Sequence, residues 1–448
     1  MKDQPKLVII GLDGAPYRLI KDFTENDIMP EIGKIIKKGT FLPLESTIPE
    51  ISSLAWSSII TGKNPGGHGI FGFTDIPIGT YRLTFPNFNN LKALPFWQKD
   101  TGRKSIIVNV PSTFPVKPLN GIHISGFVSL DLERSVYPQS LIPELEALNY
   151  RIDVDAAKAH QSTDLFLKDL DETLDARIRA SRYLWKNQDW DTFMLVFTGT
   201  DRLSHFLWDA YEDRDHPYHS TFLNHFRKID RAIGEIARSL TEDDLIVLLS
   251  DHGFELSERD VNINYLLQES GYLKLDPQSR RGLAGMDEKT RAFALDPARI
   301  YLNVKDKYPR GGVTANDFEM IIEDLISLFT GLQYKGRKVI DKIYRKDEIY
   351  SGPYTDQAPD LVLISNHGFN LRSGIRSASL YEKSIFTGKH SQPDAFLLLG
   401  HPVEPDQLPE RPSVSDVLNI ISKLAPAALT LKNKNVKNKK TLKIVEDR

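Results

Sequence analysis

The chain has 448 residues, 40% of them hydrophobic and 26% charged, with a formal net charge of −3. That balance excludes wholesale disorder and lacks the basic excess of a protein held to nucleic acid by phosphate contacts. There is no cysteine, so disulfides, cysteine-ligated zinc and thiol nucleophiles are excluded, and a reducing compartment fits.

From the N-terminus, the first apolar run is Leu7–Leu12, too short for a signal-peptide core and followed at once by Asp13. No apolar stretch approaches the roughly 20 residues that span a bilayer. We expect a cytoplasmic protein with no membrane or stable nucleic-acid partner. Further short apolar runs follow at Ser105–Val110, Thr192–Phe197, Leu245–Leu249, 361–364 and Ala395–Leu399. Runs apolar on both faces suit strands covered on both sides in a largely parallel sheet. Between them, Phe166, Leu170, Leu174 and Ile178 form one stripe of a helix expected over 162–185. Phe226, Ile229, Ile233 and Ile236 do the same over 224–240. Strands alternating with helices predict a doubly wound α/β fold with helices on both faces of the sheet.

Residues 255–345 are rich in charge, glycine and proline, and read as an inserted cap subdomain. The expected organisation is a discontinuous α/β core over 1–254 and 346–428, the cap over 255–345, and a tail over 429–448. Six lysines lie between Lys432 and Lys443, and the tail reads as a solvated segment rather than a nucleic-acid arm.

Candidate chemistry gathers just beyond the strand ends, where open α/β sheets place their functional groups. Leu7–Leu12 ends in Asp13-Gly14, Thr192–Phe197 in Thr198-Gly199-Thr200-Asp201, and Leu245–Leu249 in Ser250-Asp251-His252-Gly253. A Thr387-Gly388-Lys389-His390 loop precedes Ala395. Asp13 alone reads as a helix cap, but the combination is more specific. Asp201 and His205 are four apart and share a face if a helix begins at Asp201. Asp251 and His252 can reach one site from a strand end. Carboxylates and imidazoles without sulfur suit zinc, manganese or iron.

The nucleophile candidate is Ser52. The stretch 51–62 predicts a helix of about ten residues with Gly62 near its C-terminal end. Ser52 falls at the N-terminus, where unpaired N–H groups favour an anion; taken alone it reads as an N-cap. His68 and Gly69 are expected to shape the following turn and Trp56 to belong to the core. His216 and His219 are expected in a solvated loop, Lys389 facing solvent, and His367 and His401 without a carboxylate partner.

In this order, these residues resemble the alkaline phosphatase superfamily, and within it the type I phosphodiesterase/nucleotide pyrophosphatase group. The resemblance runs through Gly11-Leu12-Asp13-Gly14, Ala55-Trp56-Ser57-Ser58, Thr61-Gly62-Lys63-Asn64-Pro65, His68-Gly69-Ile70 and Pro95-Phe96-Trp97. It continues in Ser250-Asp251-His252-Gly253, Asn264-Tyr265-Leu266, Ala358-Pro359-Asp360-Leu361 and Gly388-Lys389-His390, to about Leu399. It implies an alkaline phosphatase-like fold and hydrolysis of a small-molecule phosphate ester such as a nucleotide. It also implies two divalent metals, zinc being expected, one held by Asp201, His205 and His390. The other falls to Asp13, Asp251 and His252, with Ser52 touching it as the nucleophile of a covalent intermediate. The phosphodiesterase branch usually carries threonine where this chain has Ser52; phosphatase and mutase branches often use serine. A monoesterase, a phosphomutase or a catalytically silent metal-binding homologue are the alternatives. A sulfatase lacks support, because no Ser-x-Pro-x-Arg context surrounds Ser52.

Overall fold

The computed structural model of the chain describes residues 5–129, 131–276 and 282–429. Its main sheet has eight strands in the order Thr40–Leu44, Ala395–Leu399, Leu245–Leu249, Leu7–Leu12, Thr192–Phe197, Ser105–Val110, Gly121–Ser125, Val136–Tyr137. The run from Leu245–Leu249 to Gly121–Ser125 is parallel throughout.

The apolar runs become interior strands because both of their faces are covered. Side chains alternate across a strand, and here the alternation sorts them into two cores. Val8, Ile10, Leu12, Phe193, Leu195 and Leu248 pack with the helices Tyr17–Glu25, Thr163–Asn187 and His219–Ala237. Leu7, Ile9, Met194, Val196 and Val247 pack on the other face with Ser52–Thr61 and Val417–Leu424. Each such side chain contributes about 1.5–3 kcal/mol by burial. The stripe Phe166, Leu170, Leu174 and Ile178 is buried as its spacing predicts. The second helix begins at His219, five residues before the expected start.

Two strands differ from expectation. Ala395–Leu399 belongs to the sheet but runs antiparallel to Leu245–Leu249 and Thr40–Leu44. The run at 361–364 is not in this sheet. As Leu361–Ser365 it pairs antiparallel with Ile340–Arg345 and Arg299–Leu302 in a separate four-stranded sheet closed by Ala292–Leu295. The helix Ala315–Thr330 supplies Ile321, Ile322, Leu325 and Phe329 to the core of that second lobe. A short apolar run records that both faces are covered, not by which lobe. The smaller sheet therefore draws on residues on both sides of 345.

The strand Gly253–Asn262 leads from the main sheet into this second lobe, and Gly388–Ser391 leads back, pairing antiparallel with its first residues so that His390 lies opposite Phe254. Of the lysine-rich tail only Leu429, which is buried, falls among the described residues. No helix among the described residues is long and apolar enough to cross a membrane.

Candidate active site

Three neighbouring parallel strands end side by side and deliver the acidic residues to one place. Asp13 follows Leu7–Leu12, Asp201 lies in the first turn of the helix Gly199–Glu212 after Thr192–Phe197, and Asp251 and His252 follow Leu245–Leu249. Thr200 ties that helix to the first strand by donating its hydroxyl to the Asp13 carbonyl at 2.6 Å. Gly14, at φ +64°, donates its N–H to Asp251 Oδ1 at 3.0 Å. A Cβ there would meet Phe254 at 2.8 Å, so both φ and space call for glycine.

All six expected ligands, and Ser52, converge. His390 Nε2 lies 3.1 Å from Asp201 Oδ1 and 3.0 Å from His205 Nε2, while His205 Nε2 lies 3.4 Å from Asp201 Oδ1. On the other side, His252 Nε2 is 3.3 Å from Asp251 Oδ2, 3.7 Å from Asp13 Oδ1 and 4.0 Å from Asp201 Oδ1. His252 thus sits between the two halves. Its ligand atom is within 4.8 Å of those of Asp201 and His390, and equally of those of Asp13 and Asp251.

Each imidazole is held in one tautomer by the main chain. Nδ1 donates to the Gly388 carbonyl from His205 (3.3 Å), to the Gly253 carbonyl from His252 (3.0 Å) and to the Glu50 carbonyl from His390 (2.8 Å). That turns all three Nε2 atoms inward, the orientation metal-ligating histidines adopt. The outer carboxylate oxygens are occupied too. Trp56 Nε1 donates to Asp13 Oδ2 at 3.1 Å, and Arg202 donates to Asp201 Oδ2 at 3.1 Å and to Asp153 at 2.8 Å.

The inner groups fit divalent cations. Asp13 Oδ1 and Asp251 Oδ2 are buried with no hydrogen-bond partner among the described residues. Burial, then the charges of Asp251 and Asp201, pushes the Asp13 carboxyl well up; burial pushes Asp251 up to about 7. Burial pushes His252 down and His205 down to about 4. Buried carboxylates and imidazoles with lone pairs turned on one another are costly unless a positive charge lies between them, and a divalent ion inverts that balance.

Ser52 is the first residue of the helix Ser52–Thr61, and Ile51 holds the cap position without a side-chain capping bond. The Ser52 hydroxyl does not cap the helix; its Oγ lies 3.1 Å from His252 Nε2. It opens, with Asp13, Asp201, Arg202, His205 and His390, onto a cavity of about 730 Å³. Ser53, the next residue of the helix, is buried, its Oγ has no hydrogen-bond partner among the described residues, and it does not line that cavity.

His68 is fully buried and shapes the turn, accepting the Ile70 N–H at 3.2 Å and meeting Ser58 Oγ at 3.0 Å. His219 starts a helix rather than lying in a loop, and its Nδ1 donates to the Ala210 carbonyl at 2.7 Å. His216 lies 3.9 Å from Asp209, and neither joins the cluster. Lys389 does not face solvent: it is buried, with Nζ 2.6 Å from Glu255 Oε1 and 2.9 Å from Ser365 Oγ. His367 does have a carboxylate partner, Glu255 at 3.1 Å; His401 meets the Asp244 carbonyl at 3.0 Å. Sequence reasoning missed the bonds of Trp56 and Arg202 to the cluster. Their positions beside Ser52 and Asp201 were the one available signal.

A family model described as type I phosphodiesterase / nucleotide pyrophosphatase matches residues 7–392. Among solved structures, phosphonoacetate hydrolase from Sinorhizobium meliloti 1021 in complex with phosphonoformate superposes with a TM-score of 0.63 at 15% identity, covering 95% of this chain and 96% of that one. Murine ectonucleotide pyrophosphatase / phosphodiesterase 5, in an inactive form with AMP, gives 0.57 at 14% identity over 96% and 97%. The human counterpart gives 0.55 at 13% identity over 96% of both chains. At such identities these likenesses speak for the fold. No curated protein sequence matches the chain.

Proposed function

The chain belongs to the type I phosphodiesterase / nucleotide pyrophosphatase family of phosphoester hydrolases, and on that premise we propose that it hydrolyses phosphodiesters through a covalent Ser52 intermediate. The observation that carries this is the position of Ser52 Oγ at a helix N-terminus, 3.1 Å from His252 Nε2 and free of any capping bond.

In this reading Asp201, His205 and His390 would hold one divalent ion, and Asp13, Asp251 and His252 the second, with Ser52 beside it. Zinc is the proposed metal, since nitrogen and oxygen donors without sulfur suit it. Two such ions supply charge neutralisation and a lowered pKa for hydroxyl and water. Ser52 Oγ attacks phosphorus in line with the departing ester oxygen, forming a Ser52–phosphoryl ester and releasing an alcohol. Water then cleaves that ester: its oxygen stays on phosphorus and a proton returns to Ser52. The backbone N–H groups opening the helix Ser52–Thr61 favour the anionic phosphoryl group in both steps.

The diester preference follows from charge. A monoester dianion carries one more negative oxygen, and sites for it commonly add a free cation. No basic residue lies between Leu44 and Gly62. Arg202 does line the cavity, which favours the monoesterase reading, but its guanidinium is committed to Asp153 and Asp201. The test is kcat/KM for bis(nitrophenyl) phosphate against nitrophenyl phosphate with zinc saturating. A higher value for the diester supports the proposal; a clear monoester preference reverses it.

A further inference from the structure

The cavity that holds Ser52 joins the Asp/His cluster to an extensive apolar lining. Besides the cluster and Asn87, Ser112 and Thr198, it is lined by Phe73, Phe85, Phe114, Phe127 and Val128. At about 730 Å³ it is far larger than a phosphoryl group needs and falls in the usual range of ligand pockets.

Phe73 and Phe127 do not form a slot for a flat base. They meet edge to face, with centroids 5.6 Å apart and planes at 72°, which leaves no gap between them for a third ring. The Arg202 guanidinium covers Phe127 at 4.1 Å. Arg202 thereby fixes one side of the apolar wall as well as Asp201.

The mouth of the cavity is apolar too. Phe85 is 70% exposed and Val128 44% exposed, both unusual for large apolar side chains. The segment leading into Phe85 is held by Asp75 and Thr84, which exchange backbone hydrogen bonds of 2.9 and 2.8 Å. Exposed apolar side chains that also line the cavity suit an apolar group of a ligand reaching out of it.

We propose that this wall is the subsite for a flexible alkyl substituent, so that the substrate is a phosphodiester of a medium- or long-chain alcohol. The proposal rests on the diester reading above and names its substrate class.

The test is turnover of methyl alkyl phosphodiesters with methyl to hexyl chains, short enough to stay monomeric, followed by phosphorus NMR on the zinc-loaded enzyme. Expected is a rise in kcat/KM of about two- to fourfold per added methylene, the scale of methylene burial, and at least tenfold from methyl to hexyl. Phe85→Ser with Val128→Ser, both at exposed positions, should flatten that slope within the same series. A second readout needs no turnover: calorimetric binding of hexylphosphonic against methylphosphonic acid to zinc-loaded Ser52→Ala, expected to favour hexyl at least tenfold. No turnover of any diester, with hexylphosphonic acid still preferred, would sink the diester reading and leave the subsite standing. Equal binding of the two acids, a slope unchanged in the double variant, or faster turnover of a nucleoside methyl phosphodiester would overturn the subsite.

Discussion

Trp56 donates its indole N–H to Asp13 Oδ2 at 3.1 Å while its ring fills the space above Gly11, where a Cβ would meet it at 2.3 Å. One helix thus presents Ser52 from its first turn and orients a carboxylate from its second. Trp56→Phe keeps most of the packing and removes the donor. We expect metal affinity to fall about 10- to 100-fold, the usual effect of losing an outer partner of a ligand, measured by competition with a chelating dye. Unchanged affinity would make the bond incidental.

The histidines should not be equivalent. His390 Nε2 serves the side of Asp201 and His205, whereas His252 Nε2 lies within reach of both groups. Elemental analysis of His390→Ala should show about one ion lost per chain. His252→Ala should also lose about one ion, from the side of Asp13 and Asp251. Full occupancy in either variant would count against the assignment.

Lys389 and Glu255 predict a pH-dependent stability. Burial raises the Glu255 carboxyl, but the Lys389 charge and hydrogen bonds from Lys389 and His367 outweigh it and leave it below its ordinary value. A carboxylate depressed in the folded state stabilises above its unfolded pKa of about 4.3, and the contribution fades as pH falls through the folded value. Lys389→Met should therefore cost about 2 kcal/mol at pH 7, the scale of a hydrogen bond to a charged group, with the gap to wild type closing toward pH 3. Urea titrations across that range would show it. A gap independent of pH would mean that packing, not charge, is lost.

Much of this arrangement is legible in the sequence because parallel strands end together. Asp13, Asp201, Asp251 and His252 each follow an apolar run, and the convergence of those runs makes one cluster. His390 depends instead on Gly388–Ser391 pairing beside Gly253–Asn262, a long-range register that only family likeness signals. Leu361–Ser365 was open to misplacement because a four- or five-residue apolar run looks alike in either sheet. The cavity wall was hidden for another reason: Phe73, Phe114 and Phe127 come from separate loops, and no periodicity links residues that meet only through tertiary packing.

The proposed chemistry depends on Ser52, and the direct measurement is phosphodiester turnover by zinc-loaded Ser52→Ala and Ser53→Ala, with metal content and thermal unfolding checked alongside. Loss of the attacking oxygen should lower kcat by about a thousandfold or more with both ions retained, while Ser53→Ala stays close to wild type. Normal turnover by Ser52→Ala, or loss confined to Ser53→Ala, would contradict it.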